Sequence, residues 1–108
     1  MYEVAVSVEA DADLDRIIQY IAVDLGNPPA ATILADKITT RLDALETMPS
    51  KFPFCKDPVL RALGYHRVSV NGYLIIYRID ESAKQVYIVH YYHARQDYES
   101  DLLHFMAL

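Results

Sequence analysis

The chain has 108 residues, one cysteine and a formal net charge of −5, which is room for one domain over residues 1–108 with a core that buries roughly two thirds of the unfolded surface. Cys55 has no partner for an internal disulfide, no apolar run approaches the roughly 18 residues that span a bilayer, and the opening MYEVAVSVEADAD lacks the basic and apolar regions of a leader. A soluble protein of a reduced cytosolic compartment, with no membrane partner, is expected.

The acidity argues against broad attraction to nucleic acid, but it is uneven. Residues 1–60 hold ten acids against five bases, whereas residues 61–98 hold five bases against three acids and three of the four histidines. The second half is locally basic.

In chain order, Tyr2 to Val8 carries enough valine and alternation for a first strand, with no readable partner. Ser7 is placed to cap a helix, and Glu9, Asp11 and Asp13 would sit in its first turn, where unpaired N–H groups favour acids. Leu14, Ile17, Ile18, Ile21 and Leu25 recur at helical spacing, opposite Asp15, Arg16, Gln19 and Asp24. Gly26 ends this helix in the left-handed conformation, and Asn27-Pro28 opens another. Its stripe is Ala31, Leu34, Ala35, Ile38, Leu42 and Leu45, and Pro49 stops it after Met48. So short a loop makes the two helices antiparallel neighbours. From Pro49 to Leu63 three prolines alternate with Phe52, Phe54 and Leu60, an ordered connector in which Cys55 reads as a small buried side chain.

From Gly64 to Tyr98 three short β-branched and aromatic runs are punctuated by Asn71-Gly72 and by Asp80 to Lys84, which predicts an antiparallel meander. A two-residue turn at Asn71-Gly72 sets Val70 against Tyr73, Val68 against Ile75 and His66 against Tyr77. Turning at Glu81 to Lys84 sets Ile79 against Val86. Unbroken pairing then puts Val86, Ile88, His90 and Tyr92 on the helix-covered face, and Tyr87, Val89, Tyr91 and His93 with Arg67 and Arg78 on an open one. On this reading His66 and His90 are core or edge residues, Tyr73, Tyr77 and Tyr92 are core rings with hydroxyls at the rim, and Arg78 pairs with Asp80 or Glu81 at the surface. Arg95 to Met106 predicts a last short helix carrying Tyr98, Leu102, Leu103 and Phe105.

No phosphate-binding loop, dinucleotide turn, nucleophile elbow or metal-spaced histidine pair occurs, so neither a cofactor nor a metal is expected. His90 and His93, three apart on a strand, would point to opposite faces.

The opening YEVAVSVEADADLDRIIQYIA, the connector LETMPSKFPFC, the segment LRALGYHRVSVNGYLIIYRID and the end VYIVHYYHARQDYE resemble, in this order and spacing, the RelE/ParE family of type II toxin–antitoxin toxins. The resemblance implies an α+β fold: a helical hairpin packed on one face of a four-stranded, mainly antiparallel sheet (β-α-α-β-β-β) with a short C-terminal helix. It implies a toxin held inactive by a cognate antitoxin, in a heterotetramer with it or as a homodimer. The activity is either metal-independent cleavage of mRNA on the ribosome or inhibition of DNA gyrase. For cleavage, Arg67 would hold phosphate, His93 would transfer a proton, Arg95 would neutralise charge and Tyr91 would stack on a base. Leu74 stands where many RelE-like toxins carry a base, and the acidity departs from ribosome-acting members. Both weaken the nuclease reading and favour a ParE-like or degenerate toxin. The rival from another class is a non-catalytic interaction module of the same fold.

Overall fold

The computed structural model describes residues 1–107. The elements are β1 (Glu3–Val6), α1 (Val8–Gln19), α2 (Pro28–Leu45), α3 (Pro58–Ala62), β2 (Tyr65–Val70), β3 (Tyr73–Asp80), β4 (Gln85–His93) and α4 (Tyr98–Ala107). They form one four-stranded sheet in the order β1-β4-β3-β2, with β1 parallel to β4 and the other neighbours antiparallel.

The helix ends follow their local chemistry. Ser7 Oγ accepts from the Ala10 N–H at 3.0 Å, Gly26 has φ +60°, and Asn27 Oδ1 accepts from the Ala30 N–H at 3.2 Å. Between the helices, Tyr20–Asp24 is a turn of π-helix in which the Leu25 N–H reaches back to the Tyr20 carbonyl at 2.9 Å. The wider turn breaks the 3.6-residue stripe. Ile21 stays buried, but Leu25, expected on the same stripe, is 58% exposed. The second helix ends at Leu45, short of the expected Met48, and the carbonyl of Glu46 just beyond it accepts from the Tyr2 N–H at 2.7 Å.

Asn71 and Gly72 both have positive φ, at 48° and 83°, and β2 pairs with β3 in the expected register, Val70 to Tyr73, Val68 to Ile75 and His66 to Tyr77. The β3–β4 pair also starts as expected, with Ile79 against Val86 and Tyr77 against Ile88. It then slips. Ile76 faces His90 and Ile75 faces Tyr91, so Val89 is the extra residue of a β-bulge. Beyond it every side chain of β4 changes face. Tyr91, expected on the open face, is buried beneath the helical hairpin with Ile75, whereas Tyr92 joins Leu74 and Ile76 on the other side.

That other side is not open along its whole length. One apolar cluster lies between the hairpin and the sheet, around Leu34, Ile38, Leu45, Ile75, Tyr77 and Ile88. A second lies on the opposite face, where Cys55, Leu60, Tyr98 and Leu102 from the connector, α3 and α4 cover Leu74, Ile76 and Tyr92. The connector is pinned by polar contacts as well: the Tyr77 hydroxyl donates to the Pro49 carbonyl at 2.5 Å, and His66 Nδ1 donates to the Phe52 carbonyl at 2.9 Å with its ring stacked between Phe54 and Tyr77. Arg78 stays at the surface, with its guanidinium 5.7 Å from the Tyr87 ring centre and in no ion pair among the described residues.

A Cβ added at Gly72 would meet nothing within 4 Å, so the cost of Gly72→Val comes from the left-handed backbone alone. Urea denaturation should show a loss of about 1–3 kcal/mol, while Asn71→Gly at the preceding position should change stability by less than about 1 kcal/mol.

Candidate functional site

β1 pairs with β4 only from Glu3 to Val6, so β4 beyond Ile88 has an edge with no strand beside it. The start of α1 occupies that edge. The Ser7 N–H donates to the Ile88 carbonyl at 3.0 Å and the Ser7 hydroxyl to the carbonyl of the bulged Val89 at 2.9 Å. Asp13, one and a half turns into the helix, continues the pairing with its side chain. Its Oδ2 accepts from the Tyr91 N–H at 3.0 Å and from His90 Nδ1 at 2.8 Å, and its Oδ1 accepts from Arg16 at 2.5 Å. An ionised carboxylate only accepts, so the proton lies on His90 Nδ1. His90 Nε2 is buried with no hydrogen-bond partner among the described residues, and Phe105 of α4 meets the ring edge-on at 5.0 Å. Asp13 is therefore a strand cap more than a helix-dipole acid.

Around this junction a cleft of about 480 Å³ opens between α1, the end of β4 and the start of α4, with Arg16, Tyr20, Tyr73, His93, Gln96 and Asp101 among its walls. His93 packs edge-on to Tyr73 at 5.2 Å. Its Nδ1 accepts from the Arg95 N–H at 3.1 Å and the His93 backbone N–H donates to Gln96 Oε1 at 3.3 Å, while Nε2 has no hydrogen-bond partner among the described residues. The Tyr92 hydroxyl donates to Asp101 Oδ2 at 2.9 Å. Burial, helped by that carboxylate, holds the Tyr92 phenol well above the ordinary tyrosine range. Burial, with the charges of Asp11 and Asp13, pushes Tyr91 up to about 12.

Of the four residues expected to share a site, three lie around the end of β4, two of them exposed. His93 and Arg95 lie together, exposed, where β4 gives way to the last turn. Tyr91 lines the floor of the same cleft but is 3% exposed, so its ring has no face free for stacking. Arg67 is elsewhere. It lies on β2, at the far edge of the sheet and on the opposite face from Tyr91; its N–H donates to the Pro53 carbonyl at 3.0 Å, and its charge acts on Cys55 and Tyr98. Its Nε is buried with no partner among the described residues. Burial raises the Cys55 thiol above its ordinary value, consistent with a packing role. Among the described residues no group of three His, Cys, Asp or Glu side chains is placed to hold a metal ion, and no helix is long and apolar enough to cross a membrane. Asp13, Arg16 and Asp101 escape sequence reasoning because their roles depend on the bulge, which has no local signature.

Residues 4–98 match the sequence profile of the ParE toxin of type II toxin–antitoxin system, parDE. The chain belongs to the ParE toxin family. Its fold is shared with solved structures. One is described as the chromosomal ParDE TA system from P. aeruginosa, with 18% identity, 88% of this chain and 98% of that chain covered, and a TM-score of 0.69. Another is the toxin–antitoxin complex RelBE2 from Mycobacterium tuberculosis, with 22% identity, 85% and 96% covered, and a TM-score of 0.60. No curated protein matches. This ParE-family chain is thus the toxin component of a type II toxin–antitoxin system.

Two measurements probe the junction. Asp13→Ala leaves the Tyr91 N–H and His90 Nδ1 without an acceptor and should lower stability in urea by roughly 2–4 kcal/mol, whereas Asp11→Ala, which removes an exposed acid, should change it by less than about 1 kcal/mol. The second concerns alkali. A phenol whose folded pKa is raised contributes stability that is complete below the unfolded value of about 10 and is lost as pH climbs through the folded value. Tyr91, at about 12, and the still higher Tyr77, Tyr92 and Tyr98 should therefore ionise only together with unfolding, so that the share of the absorbance change at ~295 nm owed to these four of the nine tyrosines appears in the same step as the loss of circular dichroism, above pH ~10.

Proposed function

We propose that this toxin acts by binding DNA gyrase in the cytoplasm, without cleaving RNA, and that a cognate antitoxin neutralises it by covering its contact surface. The observation that carries this reading is that Arg67 lies on β2, with β3 between it and β4, and on the opposite face of the sheet from Tyr91. A 2′-hydroxyl attack on phosphate needs base, acid and cation around one phosphorus atom, and an arginine on the opposite face of the sheet does not support that grouping. His93 and Arg95 then act as contact groups at the end of β4. The helical hairpin adds exposed apolar surface, with Tyr20, Val23, Leu25 and Ile33 each at least half exposed, which suits protein contact more than RNA.

The purified chain should inhibit supercoiling by gyrase and leave mRNA intact in a ribosome-dependent cleavage assay. Arg95→Ala and His93→Ala should each weaken inhibition by roughly tenfold, the usual loss for one anchoring side chain, with melting unchanged. Cleavage by the parent protein that either variant abolishes would transfer the chain to the nuclease side. Expression that arrests growth only in the absence of the antitoxin separates a toxin from an inert module of the same fold.

A further inference from the structure

The cleft of about 480 Å³ between α1, the end of β4 and α4 holds acceptors that the chain itself leaves unused. His90, 8% exposed, lines it. With Nδ1 donating to Asp13 Oδ2 at 2.8 Å, Nε2 of the neutral ring is an acceptor, and it is buried with no hydrogen-bond partner among the described residues. Buried polar atoms are seldom left so, because the lost contact with water is then uncompensated. Asp101 on α4 supplies a second acceptor. Its Oδ2 takes the Tyr92 hydroxyl at 2.9 Å, Oδ1 is engaged by no side chain, and the carboxylate forms no ion pair among the described residues. Tyr92 joins the two: its ring centre lies 5.3 Å from that of His90, and the charges of both Asp101 and Asp13 act on its phenol.

Aromatic rings surround these acceptors. The half-exposed Tyr20 and Tyr73 stand in the walls, and Phe105, 42% exposed, meets the His90 ring edge-on at 5.0 Å. Arg16 at the rim is already tied to Asp13. An anion in this cleft would meet the charge of Asp101, and an apolar group would leave His90 Nε2 unpaired. A cation with several N–H donors answers both. An ammonium gathers its three donors on one strongly hydrated nitrogen, whereas a guanidinium is flat and weakly hydrated, presents five donors in a fork and stacks on aromatic rings.

We propose that this cleft binds a guanidinium group, which donates one N–H to His90 Nε2 and another to Asp101 Oδ1 and lies against a tyrosine ring. Phe105, packed on the imidazole from α4, turns aside to admit the donor. The buried acceptor sets the selectivity: it rewards a donor that leaves water easily and penalises one that does not. The group arrives on a small molecule or as an arginine side chain, and the same contacts hold it in either case.

The test is an NMR titration of the whole chain with agmatine, at about 0.15 M salt so that loose attraction to exposed acids is screened. The ¹⁵N resonance of His90 Nε2 should shift as it accepts a hydrogen bond, together with the ring protons of Phe105, while the ring nitrogens of His66 on β2 should stay in place. Putrescine, which carries ammonium groups only, should bind about tenfold more weakly. Asp101→Asn keeps an oxygen for Tyr92 and should weaken agmatine about tenfold. If that variant melts early, Tyr20→Leu at the exposed wall serves instead and should weaken it several-fold. A capped Gly-Arg-Gly peptide separates the sources: tighter binding than agmatine points to a protein side chain, weaker binding to a small molecule. An unmoved His90 Nε2, equal binding of putrescine, or full affinity in both variants overturns the proposal.

Discussion

The structure depends on how β4 is held where its neighbour β1 gives out. A strand edge inside a protein needs donors and acceptors for each backbone group, and here they come from a helix. Ser7 serves twice: its oxygen accepts from the first turn of α1 and its hydroxyl donates to the carbonyl of the bulged Val89. Asp13 then takes the Tyr91 N–H and fixes His90. Helix start and bulge are thereby tied together. Removing the bulge would put Tyr91 on the side of the second cluster and Tyr92 under the hairpin, with a hydroxyl stranded away from Asp101.

The bulge lets one sheet be apolar on both faces. Before it, β4 delivers Val86 and Ile88 to the hairpin side; after it, Tyr91 continues that side while Tyr92 reaches the α4 side. The second cluster gives α3 and α4 a surface to cover, and with them the connector that occupies the first half of the β2 edge. The remaining open surfaces differ in chemistry: an apolar hairpin tip, a mixed cleft around His93, and a basic strip on β2.

For a toxin of this family, a net charge of −5 keeps nonspecific contact with nucleic acid low.

What the sequence determined by itself is whatever a few neighbouring residues decide. Ser7, Gly26, Asn27-Pro28 and Asn71-Gly72 mark helix ends and a turn through their own backbone preferences, and the β2–β3 register follows from the turn. The order of elements and the family were legible for the same reason. The partner and direction of β1, the π turn that frees Leu25, and above all the bulge at Val89 were decided only in three dimensions. A bulge has no local signature in IVHYYH: either register buries aromatic rings, and the choice falls to distant groups, Ser7 and Asp13 on one side and Asp101 on the other. The expected grouping of Arg67, Tyr91, His93 and Arg95 failed at that step, because one extra residue in an antiparallel pair reverses every side chain that follows it.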